Sequence, residues 1–302
     1  MYTSLLKMSD LNRDELFSLL DLASKLKNDR RLGVPHPLLA GKTLGMIFRK
    51  SSTRTRVSFE TGMYQLGGYA LFLSSADLQI GRGEPVEDTA RVLGRYLDGI
   101  MIRTFAQEEV EQLALHSGLP VINGLTDYAH PCQVLADLMT IREYKGGFDG
   151  RKLCYIGDGN NMCNSLIVGC LTAGMDVAIA VPEKYRPAED VLEFAKSYDS
   201  KFIMTEDPFK AAEKADVLYT DVWASMGMEE ESEQRRRDFK GYQINREIEA
   251  VAAKDVIVQH CLPAHREEEI TADVFERHAN EIFDEAENRL HAQKAVMATL
   301  MK

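Results

Sequence analysis

The feature that most constrains this chain is a recurring alternation of short, almost uninterrupted apolar runs with stretches of helical spacing. TLGMIF (43–48), YALFL (69–73), GIMI (99–102) and PVI (120–122) form one series. KLCYI (152–156), VAIAV (177–181), KFIM (201–204), VLYTDVW (217–223) and VIVQH (256–260) form a second. Such runs lack the in–out alternation of a half-exposed strand, so they suit strands covered on both faces. Strands of that kind alternating with helices read as parallel sheets. The pattern predicts an α/β fold of two domains, each with a central parallel sheet flanked by helices, linked by interdomain helices. Length agrees, since 302 residues suit two domains of ordinary size better than one core. The predicted division is 1–132 and 133–284, with a crossover helix near 133–145 marked by Val134, Leu138 and Ile141. A closing helix, about 285–302, is expected to pack back on the first domain. A first helix is expected behind a Ser9-Asp10 cap, with Leu16, Leu19, Leu20 and Ala23 at helical spacing.

Composition removes several function classes. No window approaches about 18 uncharged apolar residues, which argues against a membrane span. Charges at Lys7, Asp10, Arg13, Asp14 and Glu15 argue against a signal peptide. The five cysteines, Cys132, Cys154, Cys163, Cys170 and Cys261, have no C-x-x-C spacing. Reduced thiols in a cytoplasmic chain are expected, rather than a disulfide frame or zinc cluster. The net charge of -11 disfavours nucleic-acid binding, whose affinity comes from neutralising phosphates. It leaves room for a small anion in a local basic pocket.

Five segments carry chemistry. In FRKSSTRTRVSFETG (48–62), Ser51, Ser52 and Thr53 stand between a strand and a helix, where hydroxyls cap free N–H groups. Arg54 and Arg56 fall in the first turn, where a cation opposes the helix dipole unless an anion compensates it. Hydroxyls, free N–H groups and arginine together make a phosphate cradle; the alternative is a capped helix with Arg56 paired to Glu60. In HPCQVLADL (130–138), His130 directly precedes a helix N-terminus, which disfavours imidazolium. It is either a neutral donor to a carbonyl, with the Gln133 amide beside it, or a structural loop histidine. In YIGDGNNMCNS (155–165), Gly157-Asp158-Gly159 resembles a dinucleotide turn, but Met162 breaks the fingerprint. Asn160 and Asn161 instead offer amides at the carboxyl end of a strand. In YTDVWASMG (219–227), Asp221 ends an apolar strand. The polar stretch that follows reads as a solvated helix with Glu231/Arg235 and Glu233/Arg237 pairs, flanked by Gly227 and Gly241 as hinges of a closing loop. In VIVQHCLPAH (256–265), Cys261 follows a strand and precedes Leu262-Pro263; the plain alternative is an inert buried thiol.

Taken in order, S-T-R-T-R (52–56), H-P-C-Q (130–133), D-x-x-x-S-M-G (221–227) and H-C-L-P (260–263) resemble the aspartate/ornithine carbamoyltransferase superfamily, and within it the ornithine carbamoyltransferases. The resemblance runs from the first helix to the final ENRLHAQKA. It implies a carbamoyl-phosphate domain followed by an L-ornithine domain, a homotrimer with sites shared between subunits, and no metal or organic cofactor. By the same resemblance, Ser52, Thr53, Arg54 and Thr55 match the phosphate loop, and Arg103 a second phosphate and carbonyl arginine. His130 and Gln133 match the groups on the carbamoyl carbonyl and amine. Gln79 and Arg289 match further carbamoyl-phosphate contacts, the Gln79 loop coming from a neighbouring subunit. Asn161, Asp221, Ser225 and Met226 match ornithine-binding positions. Cys261 and Leu262 match the thiol near the reacting amine and the backbone touching the carbamoyl group. The catalytic set so implied is Arg54, Arg103, His130 and Cys261. One departure stands out: the family pattern has glycine where this chain has Glu267. Aspartate, putrescine and acetylornithine are competing acceptors, an NAD dehydrogenase is a competing enzyme, and a regulatory binding protein is the non-enzymatic alternative.

Overall fold

The computed structural model describes residues 3–75, 78–79, 83–224 and 231–302. By its internal contacts the chain forms two units: unit 1 is Met1–Met139 with Glu287–Lys302, and unit 2 is Thr140–Ala286.

Unit 1 holds β1 (Thr43–Phe48), β2 (Tyr69–Ser74), β3 (Gly99–Arg103) and β4 (Val121–Leu125), with α1 (Arg13–Arg31), α2 (Thr53–Gln65), α3 (Val86–Leu93) and α4 (Gln107–Ser117). All pairs are parallel, and the order is β2-β1-β3-β4. Ile47, Ile100, Ile102, Val110 and Val121 form its core, as expected of β-branched runs buried on both faces. The first helix does not start from Ser9-Asp10. Those residues lie in a short 3-10 turn, where the Asp10 carboxylate accepts from the Leu6 and Lys7 amides. The cap is Asn12, whose side chain accepts from Glu15 N at 3.0 Å while Glu15 accepts from Asn12 N at 3.2 Å. This reciprocal box satisfies two orphan donors at once, which the earlier polar pair cannot do.

α5 (Pro131–Lys145) spans the division between the units. Unit 2 then builds β5 (Lys152–Ile156), β6 (Asp176–Ala180), β7 (Phe202–Thr205), β8 (Val217–Thr220) and β9 (Ile257–His260), parallel throughout, in the order β7-β6-β5-β8-β9. Its helices are α6 (Asn161–Ala173), α7 (Glu189–Lys196), α8 (Pro208–Ala212), α9 (Ser232–Asp238), α10 (Arg246–Val251), α11 (Ala272–Arg277) and the start of α12 (Ala279–Leu300). Ile156, Ala178, Leu218, Val258 and Phe275 are among its core residues. α6 is buried at every position but Thr172. A helix so enclosed must have its first N–H groups satisfied by protein, and Asn160 does this by accepting from Met162 N and Cys163 N. Among the described residues no helix is long and apolar enough to cross a membrane.

Strand order reverses between β1 and β3 in unit 1 and between β5 and β8 in unit 2. Outside the carboxyl ends of strands, such switch points leave a crevice that open parallel sheets use for ligands. The segment that follows β1, the segment that follows β5, and Asp221 after β8 lie there.

Candidate active site

The unit 1 switch point begins where β1 ends. Ser52 caps α2: its Oγ accepts from Thr55 N at 3.2 Å and donates to Thr55 Oγ1 at 3.1 Å. Thr53 and Arg54 occupy the exposed first turn, and Thr55 is buried. Arg56 pairs with Glu60 at 3.0 Å and lies over the Phe72 ring, so this second arginine belongs to the helix surface as the plainer reading had it. Across the switch point Arg103 closes β3 opposite Phe48, and its register shifts against β4, where it faces Leu125. Such an irregularity re-aims a side chain at a sheet end. Arg103 is buried, as are His130 at the mouth of α5 and Gln133 one turn in.

From the last helix, Arg289 Nη1 donates to Gln133 Oε1 at 2.5 Å and Nη2 to Thr55 Oγ1 at 3.3 Å. Gln133 in turn donates to Asp137 Oδ1 at 2.8 Å. These contacts bring three segments far apart in sequence into one cluster. Arg103 joins them through charge: burial first, then Arg289, Arg103 and Arg54, hold the His130 imidazole well below its ordinary 6.5. The ring is therefore neutral, as its helix N-terminus led us to expect, but for a different reason. Desolvation and three guanidinium groups do the work. Burial also pushes the Cys132 thiol up to about 12, so that residue is an inert part of the core. Gln79 is exposed, with its carbonyl accepting from Glu84 N, and is not gathered into this cluster.

The unit 2 switch point is built on Asp221, just beyond β8. Its Oδ1 accepts from Val222 N at 2.8 Å and from the Cys261 thiol at 3.0 Å. Its Oδ2 accepts from Asn160 Nδ2 at 2.8 Å. All three donors are neutral. Asn160 lies at the carboxyl end of β5 as expected, but its bond to Asp221 is one that the sequence reading missed. It sets the cap of α6 with one amide atom and holds Asp221 with the other, whereas Asn161 is buried as the first residue of α6 and accepts from Ser165 Oγ through its carbonyl. Two asparagines side by side offered no sign of which would cap and which would enter the helix.

Cys261 is half-buried and bonded to Asp221, unlike the fully buried thiol of the plain alternative. Leu262, the next residue, has φ +58, a left-handed conformation costly for a side chain. It is held by its neighbours: Leu262 N donates to His260 Nδ1 at 2.9 Å, and His260 Nε2 faces the buried Glu269 Oε1 at 3.0 Å. Because Nδ1 accepts, the ring proton sits on Nε2 and is donated to Glu269. Asp221, His260 and Cys261 also bring potential metal ligands within 4.8 Å of one another. Each is already engaged in these hydrogen bonds.

Most charges of α9 are solvated and Glu231 pairs with Arg235 as expected, but Arg235 itself is the exception to an exposed helix. It is buried and pairs with Asp158 at 2.7 Å as well as with Glu231 at 3.3 Å. Arg237 donates to Gln234, not to Glu233. Ser225, Met226 and Gly227, with the loop closure expected there, lie outside the described residues. Glu267 adopts φ +70, which explains a glycine at this place in the family pattern; the loop keeps that shape with glutamate.

Comparison with known proteins decides the family. Residues 3–143 match the model described as aspartate/ornithine carbamoyltransferase, carbamoyl-P binding domain, and residues 149–300 match the Asp/Orn binding domain of the same family. The chain belongs to the aspartate/ornithine carbamoyltransferase family. It is 58% identical over 300 residues to an ornithine carbamoyltransferase of Oceanobacillus iheyensis, covering 98% of this chain and 93% of that one. It is 54% identical to that of Methanosarcina mazei over the whole of both chains. Among solved structures, the ornithine carbamoyltransferase from Pyrococcus furiosus superposes with a TM-score of 0.94 at 50% identity, covering 99% of this chain and 97% of that one. The second family match includes Arg289, although the segment that carries it, Glu287–Lys302, groups with unit 1.

Proposed function

We propose that this carbamoyltransferase moves the carbamoyl group of carbamoyl phosphate to the side-chain amine of L-ornithine, releasing L-citrulline and phosphate. The observation that carries the reading is the neutral, buried His130 in the field of Arg54, Arg103 and Arg289. Three cations and a helix N-terminus suit a small phosphorylated substrate, and a neutral imidazole can polarise a carbonyl without adding charge. Unit 1 then binds carbamoyl phosphate and unit 2 binds ornithine.

In this reading Ser52, Thr53, Arg54, Thr55 and Arg103 hold the phosphate, Gln133 meets the carbamoyl amine, and Arg289 fixes both Gln133 and Thr55. The ornithine amine must arrive neutral, although a free amine of this kind has a pKa of about 10.4; a cationic, desolvated site lowers it. Its lone pair forms the new N–C bond. The carbonyl oxygen takes up charge that Arg54, Thr55 and His130 stabilise, and the C–O bond to phosphate breaks. The amine proton leaves to the phosphate, or to Cys261 after the Cys261 thiol has given its own proton to Asp221. Orientation and electrostatics supply the rate, and Leu262 contributes its backbone to the carbamoyl group. Asp221 recognises the α-ammonium with Asn161, Ser225 and Met226. This assignment favours ornithine over acetylornithine, which has no free α-ammonium.

The reading extends to a homotrimer in the cytoplasm, serving arginine biosynthesis or, in reverse, arginine catabolism, with Gln79 entering a neighbouring subunit's site. Exposed apolar side chains in unit 1, Val57 and Tyr64 seven residues apart on α2 and Tyr69 and Phe72 on the edge strand β2, support an oligomer. Five free cysteines suit a reducing compartment. The test is an acceptor panel with carbamoyl phosphate: ornithine, putrescine, aspartate, acetylornithine and lysine. Turnover with ornithine far above the rest is expected. Preference for aspartate or putrescine overturns the reading of unit 2.

A further inference from the structure

Arg235 is a buried cation that the reaction just described does not use. Its Nη1 donates to Asp158 Oδ2 at 2.7 Å and to the Trp223 carbonyl at 2.9 Å, and Nε donates to Glu231 at 3.3 Å. The guanidinium lies over the Tyr185 ring, 4.7 Å from its centroid. Tyr185 is itself fixed, its hydroxyl donating to Asp238 at 2.7 Å and its carbonyl accepting from Gly159 N at 2.9 Å. Gly159 has no room for a side chain, since a Cβ there would lie 2.4 Å from the Tyr185 carbonyl oxygen.

The two partners of Nη1 are telling. Asp158 lies in the turn after β5 and Trp223 in the turn after β8, the two strands that flank the unit 2 switch point. Asn160 follows Asp158 by two positions, and Asp221 precedes Trp223 by two. The Asn160–Asp221 hydrogen bond and the Arg235 bridge therefore span the same pair of turns. A buried ion pair contributes little net stability once its desolvation is counted, and a planar guanidinium is suited to fixing two acceptors at a set spacing.

We propose that Arg235 is a positioning residue for the acceptor amino acid, tying the turn after β5 to the turn after β8 so that Asn160 and Asp221 stand at the spacing the acceptor requires. The inference rests on unit 2 being the ornithine site. Arg235 acts through Asp158 and Trp223 and does not touch the substrate.

The experiment is steady-state kinetics of the full-length enzyme, with each substrate varied at saturating levels of the other, on Arg235→Gln, Arg235→Lys, Asp158→Asn and the double variant Asp158→Asn/Arg235→Gln. Arg235→Gln should raise KM for ornithine about tenfold or more, the scale of one lost charge-assisted bond, while KM for carbamoyl phosphate stays within about twofold. Arg235→Lys keeps the charge but not the fork and should recover only part of the loss. The double variant should be no worse than the worse single one, because both remove the same bridge. Asp158, raised to about 6 by burial against the pull of Arg235, with Asp221 and Glu231 also near, adds a pH signature. The ornithine KM of Asp158→Asn, divided by that of the native enzyme, should shrink toward one as pH falls through about 6. If Arg235→Gln fails to fold, the lysine and asparagine variants carry the test. Equal loss in both KM values, additive effects, or an unchanged ornithine KM overturns the proposal. A native enzyme that does not carbamoylate ornithine at all overturns the reading of unit 2 first; native turnover with unperturbed variants overturns the bridge alone.

Discussion

At the β1/β3 switch point the protein gathers Arg54, Arg103 and Arg289 around a neutral imidazole. At the β5/β8 switch point it gathers neutral donors around the Asp221 carboxylate. Two sheets of the same parallel type thus present sites of opposite sign. The backbone differs as well. The unit 1 cradle is an ordinary capped helix start, with Ser52 extended at φ -162. Among the described non-glycine residues the left-handed positions, Lys214, Leu262 and Glu267, all fall in unit 2. Strain of this kind persists only where surroundings over-determine it, and Leu262 has the His260–Glu269 pair to do so. The same architecture therefore reaches an anion through an unstrained helix end, and holds its carboxylate beside a strained turn that the neighbouring His260–Glu269 pair must fix.

The sharpest way to break this comparison is to remove a cation from the first site. Arg54→Gln should lower kcat by roughly 10²–10³, the scale measured for losing one preorganised donor to a developing charge. Circular dichroism should remain native, because Arg54 is exposed on the first turn of α2. Near-normal turnover in the folded variant would end the phosphate-cradle assignment.

Next in size is the carboxylate of the second site. Asp221→Asn should raise KM for ornithine about tenfold or more, since a charge-assisted bond contributes ~1.5–3 kcal/mol, and should leave carbamoyl-phosphate affinity nearly unchanged. Isothermal titration of each substrate separates the two effects. An equal loss for both would mean that Asp221 serves structure and that the two sites do not divide the substrates by charge.

How much of this could be read from sequence follows the range of the interactions. The nine strands were legible because each is a short apolar run, and the phosphate cradle was legible because Ser52 caps a residue only three positions away. The Asn160–Asp221 and Arg235–Asp158 bonds span 61 and 77 residues, and nothing local marks them. Arg235 in particular stands in a run of charge, EEESEQRRRD, where solvent exposure is the natural expectation. One of three consecutive arginines turning inward is settled by tertiary packing alone. Glu269 and His260 lie only nine residues apart and were hidden for a different reason: they form a buried pair only once β9 and the loop after it are folded.

A smaller effect tests the neutral state of His130. Its folded pKa lies below the ordinary 6.5, so the unfolded chain takes up the proton first. The stability tied to the neutral ring is therefore present above about pH 6.5 and is lost as pH falls below that value. The native protein should lose up to ~1.4 kcal/mol per pH unit more steeply there than His130→Asn does. Urea denaturation at pH 7 and pH 5.5 measures the difference. Parallel slopes would mean that His130 titrates alike in the folded and unfolded chain, so that burial and the three guanidinium groups do not hold the ring neutral.

The smallest effect concerns the strained backbone that sets unit 2 apart. Glu267 holds φ +70, which costs a residue with a Cβ ~1 kcal/mol relative to glycine. Yet its Oε1 accepts from Ala272 N, the first residue of α11, at 2.8 Å. A side chain satisfying a helix-start donor contributes ~1 kcal/mol, so the two terms offset and glutamate can stand where the family pattern has glycine. Glu267→Gly should then leave stability within ~0.5 kcal/mol of the native protein, relieving the conformation while losing the bond. Glu267→Ala loses the bond and keeps the conformation, and should be less stable by ~1 kcal/mol. Chemical denaturation of both variants decides it. If alanine is as stable as glutamate, the bond to Ala272 contributes nothing and the left-handed turn is held by the Glu267 N–H to Ile270 carbonyl contact alone. Neither variant should change KM for carbamoyl phosphate, because the residue lies in unit 2 and the cradle in unit 1.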